Sequence, residues 1–176
     1  NAPSVGGSVR VVSDTDQTYA KTWLLKRLQE EKPLNLPVLQ ALACWGGELP
    51  IMLLRNVLSE KSQPLLLAGL ELLKFKVHQL SDDLLLDLVQ KPLKDFRDPI
   101  VLSTIRVLQR RNSAAINSQI AEIAKNGSEA TSRAAILALS CIATSHSLAT
   151  LSNLLNELPK GPLKEMAQKQ LQLQYK

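Results

Sequence analysis

The sequence predicts an all-α protein in which pairs of helices stack in a row. Apolar residues recur at intervals of three and four along most of the 176-residue chain, which is the period of one helix face. Related segments also recur when the chain is aligned on Leu42, Leu72, Leu108 and Leu139, with spacings of 30, 36 and 31 residues. Repeats of this length are typical of solenoids, whose units bury their apolar sides only against one another. We therefore predict an α-solenoid of about five helix pairs.

The chain begins with a segment that has no helical period. Residues 1–14 are rich in Gly, Ser and Val, so we interpret them as an extended arm or linker and place the helical domain at residues 15–176. Asp14 or Asp16 is a plausible N-cap, because a short side-chain oxygen accepts from the free amides of a first turn. The first helix is expected to end near Glu31.

Prolines, glycines and polar caps divide the rest of the chain. Gly46-Gly47 and Asn126-Gly127 are turn signals, and Ser81 precedes two aspartates at the start of an apolar helix that carries Leu84 to Val89. The other helices are predicted at residues 36–45, 49–60, 64–76, 100–111, 115–125, 128–144, 147–157 and 162–174.

The third and last units differ from the others. The third is the longest, and its extra residues are expected to form a loop around Lys91 to Arg97, since insertions in solenoids map to loops. The last helix is the most polar of the set over residues 164–170. A terminal unit needs one solvated face, so we interpret this helix as a cap.

The amino-acid composition limits the classes of protein to which this chain could belong. Hydrophobic residues make up 45% of the chain, enough for a continuous core, and no apolar run approaches the roughly 18 residues of a membrane span. The formal charge of +5 favours an acidic partner, or is simply a solvated surface. Because the chain starts at Asn1 with no signal-peptide pattern, we expect it to be part of a longer protein, and the sequence assigns no compartment.

The two cysteines fall in the same slot of different repeats. Cys44 and Cys141 each follow the aligned Leu by two residues. Three steps of about 10 Å between packed helices place them too far apart for a disulfide, which needs Cα atoms within about 7 Å.

Two segments resemble a known family. Residues 131–143, with a basic residue, paired alanines and an Ala-Leu dyad, are similar to the second helix of HEAT repeats, and closest to the short HEAT-like repeats of phycobilisome lyases. Residues 95–99 resemble the turn between the two helices of such a unit. The likeness covers residues 16–174. It implies a right-handed superhelix whose second helices line a concave face, with armadillo and tetratricopeptide arrays as the alternatives.

The resemblance also implies where a partner binds. Slots two residues before and after the aligned Leu are expected to face the concave side; they hold Gln40 and Cys44, Leu70 and Lys74, Arg106 and Arg110, and Leu137 and Cys141. Guanidinium pairs suit carboxylates, since their planar fork donates two parallel hydrogen bonds. We therefore predict a non-catalytic scaffolding module that binds an acidic protein segment; the predicted contact residues are Leu70, Lys74, Arg106, Arg110 and Leu137. Alternatively, the two arginines pair internally with Asp95, Asp98 or an acidic residue of a neighbouring unit.

Other functions are less well supported by the sequence. A nucleic-acid partner needs basic residues on several successive helices and stacking aromatics, whereas Trp23 and Trp45 occupy apolar slots and are expected in the core. No catalytic constellation, metal-ligand spacing or phosphate-binding loop is present, so neither an enzyme activity nor a cofactor is predicted. A structural spacer and a homodimer formed by end-on stacking are the remaining alternatives.

Overall fold

The computed structural model describes residues 14–30, 35–45 and 49–175. Over these residues the chain forms ten α-helices and no β-strand: α1 (Asp14–Glu30), α2 (Leu36–Cys44), α3 (Ile51–Leu58), α4 (Gln63–Lys74), α5 (Asp82–Leu93), α6 (Asp98–Leu108), α7 (Ala114–Asn126), α8 (Glu129–Ile142), α9 (Ser145–Glu157) and α10 (Pro162–Gln174). A short 3-10 turn, Val77–Gln79, lies between α4 and α5. The all-α prediction is confirmed. Except for Asp14, which opens α1, the arm expected at residues 1–14 lies outside the described residues.

Local sequence explains where the helices begin. A polar side chain at the N-cap satisfies one of the free amides of a first turn. Five described helices start this way: Asn35 caps α2, Ser81 caps α5, Ser113 caps α7, Ser128 caps α8 and Thr144 caps α9. Proline near the first helical position costs no hydrogen bond, and Pro37, Pro64, Pro99 and Pro162 occupy that place in α2, α4, α6 and α10.

The helices pack sequentially in two rows. Helices α2, α4, α6, α8 and α10 each contact the next member of the series and form what we call the even row. Helices α3, α5, α7 and α9 do the same and form the odd row. Each odd-row helix also packs on the even-row helix that follows it, and α1 packs on α2. This arrangement is consistent with a helical repeat.

One leucine from each of four even-row helices marks the common register of the core. Leu42, Leu73, Leu108 and Leu139 are all 0% exposed, and the buried positions before them match from helix to helix. The spacings are therefore 31, 35 and 31 residues. The alignment on Leu72 was wrong by one residue, because two adjacent leucines in α4 fit the pattern equally well in sequence.

The extra residues of the third unit also lie elsewhere than expected. Lys91 to Leu93 continue α5, with Pro92 buried in the core. The α5–α6 turn spans only residues 94–97, the same length as the α3–α4 turn at residues 59–62. The extra length lies in α5 itself, which has 12 residues where α3 of the preceding unit has 8. Val77 anchors the 3-10 turn of the α4–α5 connection in the core.

The expectation for Trp23 was wrong. Its side chain is 52% exposed, and the guanidinium carbon of Arg27 lies 5.7 Å from the ring centroid. In α1 the core side is occupied by Leu24 and Leu28, and Trp23 precedes Leu24 by one residue, about 100° around the helix. Trp45 is partly buried, after the end of α2.

Hydrogen bonds tie each inter-unit connection to the one before it. Along one edge of the rows, a side chain in each connection donates a hydrogen bond to an oxygen atom in the preceding connection. These bonds are Lys76 Nζ to Leu49 O at 2.9 Å, Arg111 Nη1 to Val77 O at 3.0 Å and Thr144 Oγ1 to Asn112 Oδ1 at 2.9 Å. Along the turns within the units the corresponding bonds are Arg97 Nη1 to Lys61 O at 3.0 Å and Ser128 Oγ to Asp98 Oδ1 at 3.0 Å. These bonds fix neighbouring units relative to one another.

In the described ranges, no helix has both the length and the apolar content needed to cross a bilayer.

The first prediction concerns the close approach of α3 and α4 at Gly69. A Cβ atom added to Gly69 would lie 2.6 Å from Val57 Cγ1 and 3.2 Å from Leu58 Cδ2. Overpacking typically costs about 1–3 kcal/mol, more than the roughly 0.5–1 kcal/mol that alanine gains over glycine in a helix. Gly69→Ala should therefore lower the free energy of unfolding by about 1 kcal/mol, measured by urea denaturation.

A double-mutant cycle separates this overlap from other effects. In a Val57→Ala background the overlapping methyl is gone, so Gly69→Ala should become neutral or stabilising. If Gly69→Ala stabilises the otherwise unchanged protein, the close contact does not constrain the helix pair.

The second prediction concerns Asn117, which is 0% exposed in α7 and whose amide nitrogen and oxygen have no hydrogen-bond partner among the described residues. An unsatisfied buried polar group costs about 1–3 kcal/mol. Leucine has a similar size and no polar atoms, so Asn117→Leu should raise the free energy of unfolding by about 1 kcal/mol. Thr104→Val is the matched control, since the buried Thr104 hydroxyl donates to Ile100 O at 2.8 Å and its removal should bring no gain. A lower free energy of unfolding for Asn117→Leu would contradict the claim that the buried Asn117 amide destabilises the fold.

Candidate functional site

The corrected register places one exposed stripe along the even row. The slots two residues before and after each core leucine lie four residues apart, within the even-row helix or up to two residues after its end, and they face away from the core. All eight residues in these slots are exposed; we call them the even-row stripe: Gln40, Cys44, Glu71, Phe75, Arg106, Arg110, Leu137 and Cys141. The stripe therefore crosses four successive helices, α2, α4, α6 and α8.

Two of the predicted contact residues do not belong to this stripe. Leu70 is only 1% exposed and packs in the core, so the expectation that it faces a partner was wrong. Lys74 is partly buried, and its Nζ lies 2.7 Å from Glu71 Oε1. The physical reason is the one-residue error in α4, which rotates every assigned slot by about 100°.

Arg106 and Arg110 occupy the centre of the stripe. Both side chains are exposed, and neither guanidinium makes a hydrogen bond or ion pair with any part of the chain that the structure describes. Internal pairing with Asp95 or Asp98 is therefore not observed: Asp95 binds Arg97, and Asp98 accepts from Ser128.

Other arginines are used inside the fold. Four of them form ion pairs: Arg55 with Asp87 at 2.5 Å, Arg97 with Asp95 at 2.9 Å, Arg111 with Asp82 at 2.8 Å and Arg133 with Glu129 at 3.0 Å. The Arg133–Glu129 pair lies on α8 of the even row, whereas the other three pairs lie in the odd row, in the connections or in the turns. Arg106, in α6, and Arg110, two residues after its end, differ from these four arginines because they form no ion pair within the described residues.

Apolar side chains flank the two arginines. Phe75, just after α4, is 45% exposed, and Leu137 in α8 is 42% exposed. Each occupies the stripe on a helix next to α6 in the even row. Sequence reasoning missed Phe75; an alignment on Leu73 instead of Leu72 would have placed it in the stripe.

A shallow apolar groove continues the stripe toward α2. It has a volume of about 800 Å³ and lies between α2 and α4. Its walls are mainly apolar, with Ala43, Pro64 and Leu67 in the lining, and the stripe residues Cys44 and Glu71 border it. The part of the stripe on α2 and α4 therefore borders an apolar surface.

A second exposed feature lies in the turn between α5 and α6. Asp95 accepts three hydrogen bonds from Arg97, from its backbone N, its Nε and its Nη2, each at 2.9 Å. These side-chain bonds lower the pKa of Asp95 and raise that of Arg97 from their usual values. Between the two lies Phe96, which is 90% exposed.

No cluster of three or more His, Cys, Asp or Glu residues suited to a metal ion occurs in the described part of the chain. Both thiols, Cys44 and Cys141, are free.

Comparison with protein-family models and with curated protein sequences finds no significant match to this chain.

The third prediction tests the Asp95–Arg97 pair through pH. Because the pKa of Asp95 is lower in the folded protein than the usual 3.8, its ionised form stabilises the fold at pH values above about 4, and this contribution is lost as the pH falls through the folded-state pKa. Asp95→Asn should therefore melt below the unchanged protein at pH 7, and the two melting temperatures should converge as the pH falls from 4 to 2.5. A difference that is constant over this range would contradict a role for the carboxylate charge.

Proposed function

We propose that this chain is a HEAT-like α-solenoid that acts as a protein-interaction module and binds an acidic protein segment along the even-row stripe. The observation that carries the proposal is the pair of exposed guanidinium groups of Arg106 and Arg110, which have no ion-pair partner in the described part of the chain and are flanked by exposed Phe75 and Leu137.

Sequential packing supports the solenoid. The units repeat every 31 to 35 residues on a common core leucine. Within each row the helices contact their successive members, and they also pack against helices of the other row. This is the pattern of a quasi-one-dimensional array, in which the outer slots of successive units form one extended surface. The resemblance of residues 131–143 to the second helix of HEAT-like repeats points to the same architecture.

The charge pattern supports an acidic partner. Arg106 and Arg110 lie one helical turn apart, so both can reach carboxylates of one bound segment. Hydrogen bonds to charged groups contribute roughly 1.5–3 kcal/mol each. Apolar anchors beside arginine are also the composition in which interface energy is concentrated.

A protein fits this surface better than nucleic acid does. Duplex binding relies on cations that follow the phosphates over several neighbouring elements. In the even-row stripe, only α6 supplies arginine, since the neighbouring slots hold Glu71 on α4 and Leu137 on α8. The mixture of one basic helix and apolar neighbours matches a protein segment that combines carboxylates with apolar side chains.

The fourth prediction tests the site by charge reversal. The partner is first captured on the immobilised chain and identified, and its acidic segment is then measured as a labelled peptide by fluorescence anisotropy. Arg106→Glu/Arg110→Glu should weaken binding of this peptide at least tenfold, because two attractive contacts become repulsive, and tenfold corresponds to about 1.4 kcal/mol.

The matched control is Lys160→Glu/Lys169→Glu. It changes the net charge by the same four units at two exposed lysines of the last unit, and should leave the affinity nearly unchanged. Equal loss in both double variants would indicate a general charge effect. Retention of affinity in the arginine variant would remove the proposed site.

A further inference from the structure

Phe96 is the most exposed large apolar side chain in the described chain, at 90%. Its ring contacts the Arg97 guanidinium, whose carbon lies 5.4 Å from the ring centroid. Covering an aromatic ring of this size removes roughly 150–250 Å² from water, so an exposed phenylalanine is a strong candidate for an interface anchor.

The turn that carries Phe96 is held in place on both sides. Arg97 binds the Asp95 carboxylate through two of its nitrogens and donates to Lys61 O in the preceding turn at 3.0 Å. The turn is therefore already ordered before a partner covers the ring. Such preorganisation increases affinity because less conformational entropy is lost on binding.

Phe96 also borders a groove between α5 and α7. The groove has a volume of about 860 Å³, within the range of sites that hold several side chains or a small ligand. Leu86, Leu93, Val101 and Ile123 contribute apolar walls. No residue of the even-row stripe lines it, so this surface is separate from the proposed arginine site.

The polar rim of the groove is acidic. Five carboxylates line it and Lys94 is the one basic residue in the lining; the carboxylates are Asp83, Asp87, Asp95, Asp98 and Glu122. Asp83 and Asp98 form no ion pair within the described residues. Asp87, Asp95 and Glu122 are already paired with Arg55, Arg97 and Lys125. The carboxylates of Asp83 and Asp98 are therefore the negative charges in the lining that complement a basic ligand.

From this combination we infer that the α5–α7 groove binds a segment of another protein in which an aromatic or aliphatic side chain stands beside arginine or lysine. The apolar side chain packs against Phe96 and the groove walls, and the cation beside it binds the carboxylate of Asp98, which lies with Phe96 at the C-terminal end of α5. Asp83 lies at the other end of this helix, about 15 Å away along its axis. The inference does not depend on the function proposed for the even-row stripe, because the two surfaces share no residue and select opposite charges.

A random peptide library displayed on phage tests this inference with a defined probe. Selection on the full chain should enrich peptides with an apolar residue next to Arg or Lys, and one such synthetic peptide should bind at least tenfold more weakly to Phe96→Ala, a loss typical of a truncated interface anchor. Met52→Ala, at another exposed apolar side chain, is the matched control and should bind the peptide normally. Thermal melts should show both variants folded, since both positions are exposed.

The variant Arg106→Glu/Arg110→Glu separates the two surfaces. It should retain the basic peptide, which distinguishes failure at the groove from failure at the stripe. The inference is overturned if Phe96→Ala binds the same peptides with the same affinity, if selection on the Arg106→Glu/Arg110→Glu variant enriches only acidic peptides, or if sedimentation shows self-association that Phe96→Ala abolishes. That last result would assign the groove to a second copy of the chain.

Discussion

The surface of this protein depends on which residue of each even-row helix enters the shared core. Leu42, Leu73, Leu108 and Leu139 fill equivalent buried positions, and each successive residue is turned by about 100° around the helix. Once that position is occupied, the slots two residues to either side must face solvent. The close contact at Gly69 holds α4 in this orientation against α3. Core packing therefore determines which residues belong to the even-row stripe. This packing involves neighbouring units, because no unit can bury its apolar side alone.

Charged residues divide between holding the units together and facing outward. Arg97 and Arg111 donate to backbone carbonyls of the preceding unit and also pair with carboxylates. Lys125 bridges α7 and α9 through Glu122 and Glu157, which raises the pKa of its ammonium group to about 12. By contrast, Arg106 and Arg110 on the even row, and Asp83 and Asp98 in the α5–α7 groove, form no ion pair within the described residues. We interpret the two regions as surfaces for ligands of opposite charge.

The sequence predicted most of the fold, because caps, prolines and helical periodicity are local signals. The prediction from sequence was wrong where two adjacent residues fitted the same local pattern. Leu72 and Leu73 both fit the repeat, and only packing against α3 and α6 distinguishes them; the wrong choice assigned Leu70 to the surface and missed Phe75. Likewise, Trp23 is apolar and lies at helical spacing, but α1 packs only on α2 among its neighbours with extensive contact, so its outer side stays exposed. Arg106 and Arg110 were correctly placed in exposed positions because the sequence alignment used Leu108, which occupies the common buried position in the structure.

The most direct test of the proposed function is site-specific photo-crosslinking with benzoylphenylalanine placed at Leu137 or at Met52. Both positions are exposed and apolar, but Leu137 lies in the even-row stripe and Met52 lies on α3 in the odd row. The account predicts a specific adduct with an acidic protein from position 137 and none from position 52, and mass spectrometry should map the adduct to an acidic segment. An adduct from position 52 alone, or equal adducts from both, would contradict the claim that the even row is the binding surface.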